Sequence, residues 1–156
     1  MTATQDAPGA TEHATAIIVG ETGILFVGPS GAGKSTMAFS CLSAARAIGW
    51  NAALIADDRT RLEARAGRCI ASCPEPIRGM IELRGGGIAQ YRRVRRGVIH
   101  LVVAPVPASP ADRLPETGET FPCNGIELPL QRMWHDGAVD PLSALCALRP
   151  DCFSVR

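Results

Sequence analysis

One short segment constrains the fold of this chain more than any other, because it calls for a strand before it and a helix after it. Residues 28–35 read Gly-Pro-Ser-Gly-Ala-Gly-Lys-Ser and match the pattern G-x-x-x-x-G-K-[S/T]. An apolar run over 24–27 enters the segment, and a run rich in Ala, Ser and Leu leaves it and ends at Gly49. The sequence therefore predicts a strand, a glycine-rich loop and a helix, whose N–H groups together form a phosphate-binding site.

Each kind of residue in this loop has its own role in binding the phosphates of a nucleoside triphosphate. Glycines permit positive φ angles, so that backbone N–H groups can turn towards the ligand. Lys34 would reach the β- and γ-phosphate oxygens, and the Ser35 hydroxyl would bind Mg²⁺. Lys34 is also the one lysine in a chain with fifteen arginines, and a slim ammonium suits a narrow loop better than a guanidinium. The expected cofactors are ATP and Mg²⁺, and the expected nucleotide-binding residues are Gly28, Pro29, Ser30, Gly31, Ala32, Gly33, Lys34, Ser35 and Thr36.

The rest of the chain alternates between short apolar runs and turn residues. These runs predict strands over 14–19, 24–27, 51–56, 62–66, 68–72, 77–84, 98–106 and 126–130, and helices over 35–48 and 142–148. The first two strands form a hairpin that leads into the loop, and a proline-rich surface loop covers 107–124. The predicted fold class is α/β, a P-loop-containing mixed β-sheet flanked by helices. We expect a flexible tail over 1–12 and a single domain over 13–156.

Two groups of charged residues follow predicted strands. Asp57 and Asp58 come directly after the strand over 51–56, and open α/β sheets place their sites at such strand ends. One carboxylate could hold Mg²⁺ while the other accepts a proton from an attacking hydroxyl; the alternative is an Asp-rich turn. Glu82 and Arg84 alternate with apolar neighbours and so lie on one strand face, as site residues or as an exposed ion pair.

Four segments in this order resemble the catalytic domain of bacterial HPr kinase/phosphorylase. That family has a phosphate loop of this form and a strand ending in A-D-D-R, which matches residues 56–59. Its next signature, E-x-R-G-x-G-I, matches residues 82–88. The family also has a histidine at the start of the hairpin before the loop, where this chain has His13. The resemblance covers about residues 13–88 and continues weakly through 98–106.

The chain also departs from the family pattern. Thr36 stands where the family usually has glutamate after the loop serine, and Gly86 stands where a bulky apolar residue is usual. The glycine-arginine-asparagine loop usual near the C-terminus is replaced by a segment that contains Arg132. The N-terminal regulatory domain of longer members has no counterpart here. The sequence therefore looks like a short, truncated form of the family.

The resemblance implies an ATP- and Mg²⁺-dependent serine kinase that acts on the phosphocarrier protein HPr and regulates the phosphotransferase system. It implies catalytic roles for Asp58, Asp57, His13 and Arg84. The implied metal-binding residues are Ser35, Glu82 and Asp57. Asp57 and Asp58 are not assigned individually as base and metal ligand. We expect weak or absent phosphorylase activity, a cytoplasmic location and a homo-oligomer.

Two other functions stay open from the residues alone: a P-loop kinase of a small molecule, and a nucleotide-binding regulatory module without transfer activity. Composition narrows the partners. The net charge of +1 gives no argument for nucleic acid, and an arginine cluster over 92–96 is either a solvated turn or a docking surface. No apolar run is long enough to span a membrane, and no secretion signal is evident. Six cysteines without a Cys-x-x-Cys pair predict reduced thiols and no zinc site.

Overall fold

The computed structural model of the chain describes residues 9–74, 79–107, 118–134 and 137–153. In this part of the chain there are twelve strands and two helices. The strands are β1 Ala10–Glu12, β2 Ala14–Val19, β3 Thr22–Val27, β4 Ala52–Ala56, β5 Thr60–Arg65, β6 Arg68–Ser72, β7 Met80–Leu83, β8 Gly87–Gln90, β9 Arg96–Ile99, β10 Leu101–Val106, β11 Thr120–Cys123 and β12 Ile126–Trp134. The helices are α1 Lys34–Ala47 and α2 Pro141–Leu148.

The centre of the fold is a six-stranded mixed sheet in the order β11-β12-β10-β3-β2-β4. Strands β3, β10 and β12 run parallel, whereas β2 is antiparallel to both β3 and β4. Strand β4 therefore points in the same direction as β3. The C-terminal ends of β3 and β4 lie at one end of the sheet, which we call the upper end; β3 begins at the lower end.

Alternate residues of the central strands enter two separate cores. On one face Ile17, Ile24 and Phe26 pack with residues of α1 and α2. On the other face Ala16 and Leu25 pack against a four-stranded sheet in the order β1-β5-β6-β9. The mixed α/β fold is as predicted, but the expectation of flanking helices is wrong in one respect: both helices cover the same face, and a small sheet covers the other.

Most predicted elements are present, including the hairpin, the helix after the loop and the short second helix. Helix α2 begins at Pro141, and the Asp140 carboxylate just before it caps the helix by accepting the backbone N–H of Ser143 at 2.9 Å. The predicted strand over 98–106 is wrong in one respect, because it breaks at His100 into β9 and β10. The break moves the chain from the small sheet to the large one.

Two predicted irregular segments contain strands. Within the predicted surface loop over 107–124, residues 120–123 form β11, which pairs with β12; residues 108–117 lie outside the described part. Within the predicted tail, residues 10–12 form β1 and pair with β5, so that the prediction of a tail is wrong for these residues. Residues 1–8 lie outside the described part. The partner of β1 is distant in sequence, and no local pattern signalled that pairing. By contrast, β11 and β12 form a local hairpin around Asn124-Gly125, a dipeptide typical of such turns, and the sequence prediction missed this signal.

The prediction of reduced cysteines is wrong for one pair. Cys69 of β6 and Cys123 of β11 form a disulfide with a Cα–Cα distance of 6.4 Å. The bond joins the small sheet to the end strand of the large one across the second core. Cys41 stays a thiol in the helix-side core, and burial raises its pKa. Neither described helix has the length and apolar character needed to cross a membrane.

Candidate functional site

The glycine-rich loop lies at the upper end of the sheet, between β3 and α1. Gly28, Gly31 and Gly33 have positive φ angles of 145°, 84° and 97°, which side chains rarely allow. Gly33 precedes α1 in the left-handed conformation, and no side chain among the described residues caps the helix. The first turn of α1 also lacks acidic residues. Its free N–H groups and positive dipole end are therefore available to an anion.

Lys34 is held inside the loop. Only 5% of the Lys34 surface is exposed, and its Nζ donates to the carbonyl oxygens of Gly28 and Pro29, each at 2.8 Å. The N–H of Ala32 closes the loop by donating to the same Pro29 oxygen at 3.1 Å. Burial lowers the pKa of Lys34, and the nearby carboxylates oppose that shift. The ammonium thus lies where phosphate oxygens would replace carbonyl oxygens as its partners.

Asp57 is fixed by three donors from three different elements. Its Oδ1 accepts the hydroxyl of Ser35 at 2.6 Å and the hydroxyl of Thr15 at 2.8 Å, while its Oδ2 accepts the backbone N–H of Glu82 at 3.0 Å. Ser35 lies in the first turn of α1, Thr15 lies on β2 and Glu82 lies on β7. A carboxylate held from three sides has little freedom to rotate.

Asp58 has a different environment although it is the next residue. Its φ of 67° is uncommon for a residue with a side chain. The Asp58 side chain is 66% exposed, and its Oδ1 lies 3.3 Å from Nδ1 of His13. Asp58 is therefore the accessible carboxylate of the pair.

These residues line one open cleft of about 360 Å³. Its lining consists of loop residues, both aspartates and the two charged residues of the β7 turn: Ser30, Gly31, Gly33, Lys34, Ser35, Thr36, Asp57, Asp58, Glu82 and Arg84. The remaining predicted site residues adjoin it, since Gly28 and Pro29 bind Lys34, Ala32 closes the loop and His13 contacts Asp58. Sequence reasoning missed Thr15; a threonine within an apolar strand was the one available signal.

The oxygen donors of the cleft fit Mg²⁺. Asp57 and Ser35 lie within hydrogen-bond distance of each other, and carboxylate and hydroxyl oxygens are the ligand types that Mg²⁺ prefers. Among the described residues no group of three or more His, Cys, Asp or Glu side chains could hold a metal ion. An ion here would thus take its remaining ligands from phosphate oxygens and water, as Mg²⁺ commonly does.

The structure shows the surroundings of two residues that depart from the family pattern, Gly86 and Arg132. A Cβ atom at Gly86 would lie 3.6–3.7 Å from atoms of Leu83, an ordinary contact distance, so the turn itself does not require glycine there. Arg132, the candidate for the missing C-terminal arginine, lies on β12, where its Nε donates to both oxygens of Glu119 at 2.9 and 3.0 Å. That bond also lowers the pKa of Glu119.

Comparison with known proteins agrees with this geometry. The family model described as the HPr serine kinase C-terminal domain matches residues 4–103. The HPr kinase/phosphorylase of Bordetella pertussis is 35% identical over 89 residues, which cover 56% of this chain and 27% of that protein. The protein of the same name from Bordetella bronchiseptica gives the same values. The chain therefore spans about a quarter of the length of these curated relatives.

A solved structure shares the fold. The Hpr(Ser) kinase/phosphatase from Coxiella burnetii superposes with a TM-score of 0.72, at 24% sequence identity, and the match covers 91% of this chain and 90% of that one. At this identity the match concerns the fold alone. It extends beyond the segment matched by the family model and includes the C-terminal part, where the sequence pattern departs most.

Proposed function

We propose that this chain, which belongs to the HPr serine kinase C-terminal domain family, uses ATP and Mg²⁺ to phosphorylate a serine of the phosphocarrier protein HPr. Membership in this family supports the conclusion that the chain is a phosphotransferase that uses a nucleotide. HPr as the substrate comes from the names of the relatives and from the family description. The observation that carries the proposal for this chain is the contrast between two adjacent aspartates in one cleft, because protein-kinase chemistry needs one carboxylate for the metal and another for the proton.

The contacts support an assignment of these two roles. Asp57 and Ser35 share a hydrogen bond beside the loop, and Asp57 is fixed by three donors. We assign Asp57 and Ser35 to the binding of Mg²⁺, with Glu82, which also lines the cleft, as a further oxygen donor. Asp58 is exposed and turned towards the cleft, so that a substrate hydroxyl can reach it. We assign Asp58 as the general base.

In the transfer step the serine Oγ attacks the γ-phosphorus in line with the leaving oxygen. The Oγ–P bond forms, the bond from phosphorus to the β-phosphate oxygen breaks, and the serine proton goes to the Asp58 carboxylate. Lys34 and the loop N–H groups hold the β- and γ-phosphates. Asp57 and Ser35 would hold Mg²⁺, which would neutralise charge that develops on the phosphates.

His13 and Arg84 have supporting roles in this proposal. His13 lies 3.3 Å from Asp58 and orients that carboxylate, since the two side chains meet at the mouth of the cleft. Arg84 lines the same cleft as the loop, and its planar guanidinium can stabilise the transferring phosphoryl group. Neither residue forms a covalent bond to phosphorus.

Reverse transfer, in which inorganic phosphate attacks phosphoserine, needs extra cationic groups because free phosphate lacks the adenosine contacts of ATP. Arg132, the candidate for such a cation, is paired with the carboxylate of Glu119. This pairing supports a kinase with weak phosphorylase activity.

The test is incubation of the protein with γ-labelled ATP and HPr, with the Lys34→Ala variant as the control. We expect label on a serine of HPr with the parent protein and none with Lys34→Ala, because that variant loses its phosphate-binding ammonium. Label on small molecules of a cell extract but not on HPr would replace the proposal with a small-molecule kinase. Tight ATP binding without any label transfer would replace it with a regulatory nucleotide-binding module.

A further inference from the structure

We propose that Thr15 is a positioning residue that sets the geometry of both aspartates and, through Asp57, the metal-binding orientation of Ser35; this inference rests on the proposed function. Thr15 lies on β2, in the face that packs towards α1, and it is fully buried. Its position is 42 residues from Asp57 in sequence. The family motifs discussed above do not include it.

One hydroxyl of Thr15 contacts both aspartates. Its oxygen donates its single proton to Asp57 Oδ1 at 2.8 Å and accepts the backbone N–H of Asp58 at 3.4 Å. A hydroxyl has one donor and two acceptor positions, so that both bonds can exist together. The first bond fixes the Asp57 carboxylate. The second supports the backbone turn at Asp58, whose φ of 67° is costly for a residue with a side chain.

The consequence for Ser35 follows from proton counting. The Ser35 hydroxyl also has one proton, and it donates that proton to the same Oδ1 of Asp57 at 2.6 Å. Its lone pairs then point away from Asp57, and Ser35 lines the cleft in which a cation would bind. Because Thr15 holds the acceptor of this bond in place, it determines the direction of the Ser35 lone pairs without touching a ligand itself.

Other buried threonines show that the arrangement is specific to Thr15. Thr22 is 4% exposed and donates to the carbonyl oxygen of Cys152 at 2.6 Å, at the lower end of the sheet. Thr60 is fully buried and donates to the carbonyl oxygen of Ala14 at 2.8 Å. Both hydroxyls bind backbone oxygens, whereas Thr15 binds a carboxylate of the cleft. Thr22 therefore offers a matched control, because it is far from the aspartates.

The experiment compares Thr15→Val, Thr15→Ser and Thr22→Val. The first measurement is the affinity for Mn²⁺, which replaces Mg²⁺ as a paramagnetic probe, in the presence of saturating ADP. We expect Thr15→Val to lose about 10–100-fold in Mn²⁺ affinity, the usual effect of removing a residue that orients a metal ligand. Thr15→Ser, which keeps the hydroxyl, and Thr22→Val, which loses a hydroxyl elsewhere, should stay within about threefold of the parent.

The second measurement is the rate of HPr phosphorylation. With Thr15→Val we expect kcat to fall by about 10–100-fold while KM for HPr stays close to the parent value, because Thr15 touches neither substrate. Thr15→Ser should restore kcat. If the parent itself does not phosphorylate HPr, the proposed function fails, but the Mn²⁺ measurement still decides the role of Thr15.

Three results would overturn the inference. The first is parent-like Mn²⁺ affinity in Thr15→Val, and the second is an equal loss of affinity in Thr22→Val. The third concerns folding. Should Thr15→Val not fold, Thr15→Ala takes its place as the hydroxyl-free variant; if neither folds while Thr22→Val does, Thr15 has a purely structural role.

Discussion

The two ends of the six-stranded sheet contain the same kinds of side chain, but these side chains form different hydrogen bonds at each end. Each end has a buried threonine and a nearby histidine: Thr15 and His13 at the upper end, Thr22 and His100 at the lower end. At the upper end the side-chain donors converge on one carboxylate. At the lower end the Thr22 hydroxyl and the His100 ring satisfy backbone groups of Cys152 and Gly23 instead.

The larger of the two cavities does not lie at the end of the sheet that holds the candidate site. The lower end carries a cavity of about 820 Å³ between the large and small sheets, more than twice the upper cleft of about 360 Å³. The lower cavity is lined by Asp151, whose Oδ2 accepts only from Arg149 and Cys152 among the described residues. These two donors are its close neighbours in sequence. Convergence of donors from three separate elements on one carboxylate, rather than volume, marks the upper end as the site. We therefore expect changes at the upper end to alter chemistry, and changes at the lower end to alter stability.

The largest expected effect separates the two aspartates at the upper end. Asp58→Asn should lower the rate of HPr phosphorylation by about 10²–10⁴-fold with unchanged ATP affinity, because an amide cannot accept the serine proton. Asp57→Asn should instead raise the Mg²⁺ concentration needed for half-maximal activity by about 10–100-fold, because the change lowers the affinity of the site for Mg²⁺. The measurement is kcat as a function of Mg²⁺ concentration for both variants.

The control for this pair is the thermal transition, which should change little in Asp58→Asn because its side chain is exposed. If Asp58→Asn transfers phosphate at the parent rate, the base is a different residue and the assignment of the two aspartates is wrong. If the two variants show the same defect, the contrast between the aspartates has no functional meaning.

Much of the upper end could be predicted from the sequence because its signals are local. The loop 28–35, the strand before it and the helix after it lie next to one another in the chain, and the motif residues carry their own chemistry. Thr15 could not be assigned in this way. Its bond to Asp57 depends on the pairing of β2 with β4, and a lone threonine in an apolar strand has many possible partners.

The lower end was harder to predict because its contacts join distant segments. The break of the predicted strand at His100 depends on Gly23, 77 residues away. The backbone N–H of His100 donates to the carbonyl oxygen of Gly23, and the backbone N–H of Gly23 donates to Nδ1 of the His100 ring. The Cys69–Cys123 bond spans 54 residues. Composition and the lack of a secretion signal favoured free thiols. Only the packing of the small sheet against β11 brings the two cysteines together.

The next effect concerns this disulfide and tests the claim that the lower end serves stability. A disulfide spanning 54 residues should stabilise the fold by up to about 4 kcal/mol, through the lost entropy of the unfolded chain. A Cys69→Ala/Cys123→Ala variant should therefore unfold roughly 5–15 °C lower than the oxidised parent. Calorimetry with and without reductant measures the shift, and reductant should leave the variant unchanged. A large loss of ATP affinity in the folded variant would contradict the separation of the two ends.

A smaller effect is expected at Gly23, where β3 meets the end of β9. A Cβ atom at this position would lie 1.9 Å from the carbonyl oxygen of Val98, so that the backbone must move to accept alanine. Gly23→Ala should cost about 1–3 kcal/mol, as overpacking usually does. Gly86→Ala is the matched control, because a Cβ there meets only ordinary contacts. Denaturant unfolding of both variants measures the difference, and equal stability would show that β9 adjusts freely.

The smallest effect is a pH dependence that originates at His100. Its Nδ1 accepts the backbone N–H of Gly23 at 3.0 Å, which requires a neutral ring. Burial, and to a lesser extent the charge of Arg68, lower the pKa of His100. Above the unfolded-state pKa of about 6.5 both states are neutral, and this residue adds no pH dependence. Below it the unfolded chain takes up a proton that the folded chain resists, so stability falls as the pH decreases towards the lowered folded pKa.

In His100→Asn the amide oxygen can accept the same N–H without titrating. The parent should therefore lose a few degrees of thermal stability relative to this variant between about pH 6.5 and pH 5.5, a window in which most carboxylates stay charged. His13 is present in both proteins, so it does not contribute to the difference between them. Parallel stability profiles would show that the lower end tolerates a charged imidazolium, and that the neutral hydrogen bond to Gly23 does not hold the β9–β10 break in place.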